Sequence, residues 1–585
     1  MVVITCISKA LQNIAAKPRN AALALLALLA LCCVVYLPGI MRLPAVDRTE
    51  VVYADSTRDM VARGQWLDPR YDGTVHAFRP IGTFWAQGLS ATLAGAAHAR
   101  DIWVYRLPGF LAVTLSTLAL YWLSAPLFGS STALIASGLF AVAPLTALLA
   151  NLAIAESLSL LPATVAMLSL LRIYTSARDD DTRRLAVLFW AALGFGVLFN
   201  AFLVPILVIV TLIALRFMDR DMWWLEKLHT LPGLPLAVLI ASPWIIVRCL
   251  QDGVPFAGLD LPAVIRALGG AQDMKHRAWS GTFVLATLIG FLPGTVLLAP
   301  ALRDLWSQRE GKIARFLLAW IIGYLFYLEI LSSKPGTYMV QTLFPALALP
   351  VAMCVSARDG AKPALRFFTP VMPVLAAAFA IALMAVPFVL LREMPSLSIL
   401  PFAAAVAALF AWSAYELAAG HLKRWASTGI AALALFAISM LAVILPSISA
   451  IWPAQQIQRA LASCPLAPIG LLGFNEPTTR FLLKRDANLS TAGGLGKLAD
   501  GAAQGNAVIS DSWNEQNPHA LKREQQTKIA PIACIRAVDV MRACVETMTI
   551  VANNSVPPCP IPAEFECTGN FVLQSSAPSH IRRCD

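Results

Sequence analysis

Long apolar runs recur along the chain and are separated by short polar stretches. A run of about 20 apolar residues is long enough to cross a bilayer as a helix, and the pattern predicts about 13 such helices. They are predicted at residues 21–37, 103–124, 132–150, 157–174, 185–199, 201–216, 231–249, 282–302, 314–332, 338–356, 369–391, 397–417 and 427–447. A cleaved signal peptide is the alternative for the first run, but no small-x-small cleavage site follows it.

Positive charge is distributed unequally among the loops. Lys and Arg concentrate at residues 172–184, 216–227, 303–315, 358–366 and 418–426. Cytoplasmic loops carry such an excess, so these loops and the N-terminus are predicted inside the cell. The first loop at 41–102, the loop at 250–281, the turn SSKPGTYM and the C-terminal tail are then outside.

The composition agrees with this class of protein. Of 585 residues, 58% are hydrophobic and 14% are charged, and the mean hydropathy is +0.68. Soluble proteins carry about 25% charged residues. The net charge of +11 lies largely in short loops, which indicates contact with anionic membrane lipid and not with nucleic acid.

The tail from residue 450 to 585 differs in pattern from the membrane domain, 1–449. Its apolar runs are short, as in PIGLLGF and NAVIS, which is typical of a small soluble α/β domain. Six cysteines lie there: Cys464, Cys534, Cys544, Cys559, Cys567 and Cys584. An even set outside the cytoplasm predicts disulfides, with a zinc site as the alternative, and leaves the pairing open.

Carboxylates mark the outer ends of several predicted spans. Asp47 and Glu50 lie in the first outer loop, and Glu156 lies in the short turn NLAIAES. A carboxylate can act as a general base or hold a divalent metal ion. Asp47 and Asp55 have the alternative of being solvated loop residues or helix caps.

Cations and a phenol lie at the same predicted face. Arg79 precedes Pro80 at the end of the first loop, and Lys334 and Tyr338 lie in SSKPGTYM. Such groups can hold a phosphate leaving group. His276, in the outer loop, is a candidate ligand for a metal ion, although a lone histidine is more often structural. Together the two sets predict group transfer from a lipid phosphate at the outer face.

These stretches resemble a known family. The segments DRTEVVYADSTRDMVARGQWLDP, FRPIGTFW, AES and SSKPGTYMVQTLFPALAL are similar to those of lipid-A aminoarabinose transferases and protein O-mannosyltransferases. The resemblance implies a C-type glycosyltransferase fold with an outer C-terminal domain. It implies transfer of one sugar from a polyprenyl-phosphate donor to lipid A, another lipid or a glycan at the periplasmic face of a bacterial inner membrane.

The chain departs from the family at the acidic positions. The usual Asp-Glu pair reads Thr49-Glu50, with Asp47 as a substitute, and the following Arg reads Val52. The usual Glu-Lys-Pro reads Phe78-Arg79-Pro80, and a Lys common after the fifth span reads Asn200. Two alternatives remain for the function. One is a transporter or flippase of lipid-linked sugars, and the other is a non-catalytic family member.

Overall fold

The computed structural model describes most of the chain. The described residues are 21–46, 48–71, 74–75, 80–177, 181–219, 222–252, 279–331, 336–359, 400–464, 469–473, 477–483, 489–502, 505–517, 523–539, 544–554 and 560–567. Asp47, Arg79, His276, Lys334 and the predicted span at 369–391 lie outside them.

The chain divides into two compact units. The helical unit comprises Met1–Leu43, Ser56–Met384 and Ser396–Val443. The mixed unit comprises Pro44–Asp55, Ala385–Pro395 and Ile444–Asp585. The mixed unit therefore takes in part of the first loop together with the C-terminal tail.

The described residues of the first part of the chain form mainly helices, together with a two-stranded hairpin. Its helices are α1 Ala21–Arg42, α2 Arg48–Arg63, α3 Ile81–Ala94, α4 Ile102–Phe128, α5 Ser130–Val142, α6 Pro144–Ala150, α7 Ala155–Thr175, α8 Arg183–Phe199, α9 Leu203–Met218 and α10 Thr230–Asp252. The hairpin pairs β1, Arg70–Tyr71, with β2, Thr74–Val75, in antiparallel register.

The second part of the helical unit contains α11 Thr282–Gly290, α12 Leu298–Ser307, α13 Lys312–Phe326, α14 Phe344–Arg358, α15 Leu400–Ala418 and α16 Leu422–Ile438. Two of these segments continue into π-helical turns, at Tyr327–Leu331 and Ser439–Ile444. A 3₁₀ turn, Thr337–Leu343, precedes α14.

Each predicted span within the described residues coincides with a helix or a bent pair of helices. Seven described helices are long and apolar enough to cross a membrane, or up to nine if each bent pair is one span. The chain is therefore a multi-spanning helical protein by length and composition. The number of crossings stays a prediction.

Two predicted spans are not straight. The span at 132–150 consists of α5 and α6, bent by 65°, and Pro144 opens α6. The span at 282–302 bends by 108° between Gly290 and Gly294. Proline and glycine interrupt the helical hydrogen-bond ladder, and this places both breaks.

The interior of the helical unit is built around α4 and α7. Helix α4 packs against α7, α5, α3 and α1, and α7 packs against α8. Helix α7 carries Glu156 in its first turn and Arg172 in its last turn. Both charges complement the helix dipole.

The mixed unit contains a four-stranded sheet of order β3-β4-β6-β5. Its strands are β3 Ile469–Leu472, β4 Asn506–Ser510, β5 Ile529–Asp539 and β6 Cys544–Asn553. The first two are parallel, and the other pairings are antiparallel. The helices of this unit are α17 Leu445–Ser447, which ends the candidate span Leu422–Ser447, α18 Pro453–Ala460, α19 Pro477–Leu482, α20 Ala492–Ala499, α21 Asp511–Gln516 and α22 Arg523–Gln526.

Apolar side chains cover both faces of the sheet. Ile457 and Ala460 of α18 lie in one core cluster with Val508, Ile535 and Ile550. Leu495 and Leu498 of α20 lie in the other with Ile509 and Val551. A disulfide joins Cys534 to Cys567, and Cys464 is also disulfide-bonded.

Candidate active site

Glu50 lies in the first turn of helix α2, in the part of this helix that belongs to the mixed unit. Its side chain is fully buried, and Oε2 accepts a hydrogen bond of 3.2 Å from the backbone N–H of Val46. A carboxylate in the first turn is also favoured by the helix dipole. These contacts give Glu50 a structural function whether or not it has a chemical one.

Asp55, one and a half turns further along α2, is neither solvated nor a helix cap. It is 2% exposed, and its Oδ2 lies 2.9 Å from Nε of Arg480 in α19. This ion pair links α2 to α19 within the mixed unit. Sequence reasoning missed it because 425 positions separate the partners and no local pattern joins them.

Glu156 lies in a turn that is held by buried hydrogen bonds. Gln87 of α3 accepts a bond of 3.0 Å from Thr57 of α2, and its amide donates to the carbonyl of Ala153 at 3.0 Å. Ser157 donates to the carbonyl of Leu149 at 2.7 Å. Glu156 itself is half-buried in the first turn of α7. Its position is thus fixed by α2, α3 and α6.

Tyr338 lies in the 3₁₀ turn Thr337–Leu343 and is half-buried. Helix α7 contacts this turn, so the elements that carry Glu156 and Tyr338 pack together in the helical unit. The predicted shared face of Lys334 and Tyr338 is untested because Lys334 lies outside the described residues. The expectation that Glu50, Asp47 and Glu156 line one cavity also stays a prediction.

The start of α3 approaches the end of α8 closely. Thr83 donates a hydrogen bond of 3.1 Å to the carbonyl of Phe199. A Cβ atom at Gly82 would lie 2.6 Å from the carbonyl oxygen of Leu198, so only glycine fits there. Asn200 follows as the C-cap of α8. The position at which the resemblance implies lysine therefore adjoins the helix that begins two residues after Arg79.

Two further buried polar residues, Arg106 and Gln341, were not predicted from the sequence. Arg106 is fully buried in α4, and its Nη1 donates to the carbonyl of Leu43 at 2.5 Å. The sequence feature that could have indicated Arg106 is a charged residue inside an apolar run. Gln341 is 1% exposed, and within the described part of the chain its amide has no hydrogen-bond partner. Such groups in native proteins call for a structural or functional explanation.

The described residues contain no group of three or more His, Cys, Asp or Glu side chains able to hold a metal ion. His276, the predicted ligand, lies outside them. The metal site therefore remains a prediction, and no chemical step is assigned to it.

Sequence comparison finds related transferases. The dolichyl-phosphate-mannose-protein mannosyltransferase family model matches residues 78–247. Two relatives are named undecaprenyl phosphate-alpha-4-amino-4-deoxy-L-arabinose arabinosyl transferase. The one from Pectobacterium carotovorum subsp. carotovorum is 24% identical over 319 residues, and the one from Aeromonas hydrophila subsp. hydrophila is 26% identical over 322 residues.

These alignments cover 54% and 55% of this chain and 56% and 58% of the relatives. The chain thus spans little more than half the length of the curated relatives it matches. ArnT from Cupriavidus metallidurans is similar in structure over 90% of this chain and 97% of its own, with TM-scores of 0.69 for the apo state and 0.70 for the state bound to undecaprenyl phosphate, at 17% and 16% identity.

The resemblance to the aminoarabinose transferases and protein mannosyltransferases is confirmed. The chain has the fold of ArnT. Within this fold, Thr49 and Glu50 lie in the first turn of α2. The departure from the usual Asp-Glu pair is therefore at the start of a helix, beside a glutamate whose carboxylate is buried.

Proposed function

We propose that the chain is a glycosyltransferase that moves a single sugar from a polyprenyl-phosphate donor to an envelope acceptor. The observation that carries this proposal is the packing of α7, with Glu156 in its first turn, against the 3₁₀ turn that carries Tyr338. A carboxylate and a phenol on contacting elements suit the acidic and the phosphate-binding sides of one reaction. The names of the relatives support the donor class.

In the proposed reaction, an acceptor oxygen attacks the anomeric carbon of the donor sugar. The new carbon–oxygen bond forms as the bond from that carbon to the phosphate oxygen breaks, and polyprenyl phosphate departs. Glu156, with Asp47 and Glu50, takes the acceptor proton or orients the acceptor. Arg79, Lys334 and Tyr338 stabilise the negative charge on the departing phosphate.

The proposal includes the finer topology. About 13 spans with the N-terminus in the cytoplasm place the first loop and the C-terminal α/β domain in the periplasm of a bacterial inner membrane. The alternation of Lys and Arg among the loops supports this orientation. Lipid A, another lipid or a glycan is the acceptor, and a divalent metal ion at His276 is an additional proposal.

The test is a transfer assay with purified protein in lipid nanodiscs. Labelled polyprenyl-phosphate sugars and an envelope lipid extract are supplied, and labelled product is separated from donor. We expect product with the parent protein. We expect Glu156→Gln to lower turnover by about 10²-fold or more, because general-base catalysis contributes on the order of 10²–10⁴.

A matched control is Glu416→Gln in α15. Glu416 is 5% exposed and accepts bonds from Trp412 and His421, at 3.0 and 2.9 Å. Its loss removes a buried carboxylate on a different helix, and turnover should stay near that of the parent. A folded Glu156→Gln variant with full turnover would exclude Glu156 from the chemistry. In sealed proteoliposomes, movement of donor across the bilayer without labelled product would support the flippase.

A further inference from the structure

Glu329 makes a set of contacts that neither the sequence nor the proposed reaction accounts for. It lies in the π-helical turn Tyr327–Leu331 that follows α13. Its Oε2 accepts a hydrogen bond of 2.9 Å from the backbone N–H of Gly281. Its Oε1 accepts bonds of 2.8 and 3.1 Å from the N–H groups of Phe283 and Val284. One carboxylate thus binds three backbone donors on a distant segment.

The three donors belong to the start of helix α11. The first N–H groups of a helix have no partner within that helix. Here the N-cap is Gly281, at φ 89°, and glycine has no side chain with which to cap the helix. Glu329 supplies the missing acceptor from about 45 residues away, with a charge that also favours the helix start.

Helix α11 is in turn a neighbour of the turn that carries Tyr338. It packs against Thr337–Leu343. At its other end, the rings of Phe291 and Phe344 are 5.2 Å apart. A Cβ atom at Gly290 would lie 3.2 Å from Cζ of Phe344 and 3.0 Å from Cβ of Leu145. Close packing therefore fixes the far end of α11, and Glu329 fixes its near end.

The position of Glu329 in a π-helical turn is informative. Single π-helical turns within α-helices cost regular hydrogen bonding and often occur at functional sites. Glu329 and Tyr338 both belong to the segment between α13 and α14, and Glu329 precedes Tyr338 by nine positions. One residue therefore joins the end of α13 to the helix against which the Tyr338 turn packs.

We propose that Glu329 is a positioning residue for Tyr338, acting through α11. By holding the start of α11, the carboxylate keeps this helix as a rigid support for the 3₁₀ turn and so fixes the phenol where the donor phosphate binds. This inference rests on the proposed function. Glu329 itself touches no reacting atom in this account.

A double-mutant cycle in the transfer assay tests the inference. We expect Glu329→Ala to lower kcat/KM for the polyprenyl-phosphate donor about tenfold to a hundredfold, as expected for misplacement of a binding group. Tyr338→Phe should lower it as well. If Glu329 acts through Tyr338, the double variant should be no worse than Tyr338→Phe alone. Glu329→Gln, which keeps an acceptor oxygen, should retain more activity than Glu329→Ala.

Additive losses in the double variant would overturn the inference, since they would mean that Glu329 acts independently of Tyr338. Glu416→Ala is the control for the general cost of losing a capping or bonding carboxylate. If Glu416→Ala lowers the melting temperature as much as Glu329→Ala does but leaves kcat/KM unchanged, the activity loss in Glu329→Ala is not a stability effect. An equal loss of kcat/KM in both variants would overturn the inference.

Hydrogen exchange supplies a readout that does not depend on turnover. In Glu329→Ala we expect faster exchange at the amides of residues 281–284 and also at 337–343. Faster exchange at 281–284 alone would overturn the coupling and leave Glu329 as a local cap. If the parent protein forms no product, the proposed function fails while this exchange experiment still decides whether Glu329 supports the Tyr338 turn.

Discussion

The hydroxyls of α4 in the helical unit bond locally, whereas two pairs of side chains in the mixed unit bond across long sequence separations. In α4, Ser116, Thr117 and Ser124 each donate to the carbonyl four residues earlier in the same helix. In the mixed unit, Asp55 pairs with Arg480 and Cys534 is bonded to Cys567. The first kind of contact stays within one element, and the second joins elements that are distant in sequence.

The difference follows from what surrounds and stabilises each unit. A helix in lipid must satisfy its backbone polar groups internally, and a hydroxyl on such a helix can bond to a carbonyl of the same helix. A small sheet with helices on its faces buries a limited core and gains more from bonds between segments. The stability of the mixed unit should therefore depend on a few long-range contacts, and that of α4 should not depend on single hydroxyls.

The largest effect is expected at the buried ion pair. Arg480→Ala removes the ion-pair partner Arg480 from Asp55, a carboxylate that is 2% exposed. Breaking a buried pair in this way costs about 3–5 kcal/mol. The melting temperature and the protease resistance of the C-terminal region, measured on the full chain in detergent, should both fall.

The control for that variant is Lys528→Ala. Lys528 pairs with Asp500 at 3.5 Å, and the two side chains are 54% and 47% exposed. Exposed pairs contribute about 0–1 kcal/mol, so this variant should resemble the parent. Equal stability of Arg480→Ala and Lys528→Ala would contradict the expectation that the buried carboxylate of Asp55 makes its ion pair more important than an exposed one.

An intermediate effect is expected at the disulfide. The bond between Cys534 and Cys567 closes a separation of 33 residues. Losing a bond of this kind costs about 2–4 kcal/mol, largely through the unfolded state. Cys534→Ser should lower the melting temperature of the C-terminal region. The variant that also carries Cys567→Ser should lose no more, and a further large loss would show that the two cysteines do not act as one bond.

The smallest effect is expected in the helical unit. Ser116→Ala removes a hydroxyl bonded at 2.7 Å to the carbonyl of Ala112 in the same helix. Polar contacts of membrane helices average about 0.6 kcal/mol, and the backbone carbonyl keeps its helical partner. The melting temperature in detergent should change little. A loss as large as that of Cys534→Ser would contradict the comparison.

Much of the helical unit could be predicted from sequence. The predicted span at 157–174 is α7, Ala155–Thr175, and that at 231–249 lies within α10, Thr230–Asp252. The length of an apolar run is a local property of the sequence, so it predicts a helix without knowledge of the elements that pack against it. The bends at Pro144 and between Gly290 and Gly294 carried proline and glycine signals, but their angles depend on packing.

The candidate site was predicted only in outline. Glu156 and Tyr338 were identified by type and by their place at the ends of predicted spans, and the structure shows that their elements pack together. The partners were not predicted. Gln87 holds the Glu156 turn through Ala153, and Glu329 caps α11 from about 45 residues away.

The sequence by itself determined the class of protein, most helix positions and the residue types available for chemistry, because hydrophobicity and charge act locally. Only the tertiary structure decided that Asp55 is paired with Arg480 and that Glu329 binds the start of α11. A carboxylate has the same chemistry in a solvated loop, a helix cap or a buried pair. Which of these it occupies depends on donors that the fold brings from distant parts of the chain.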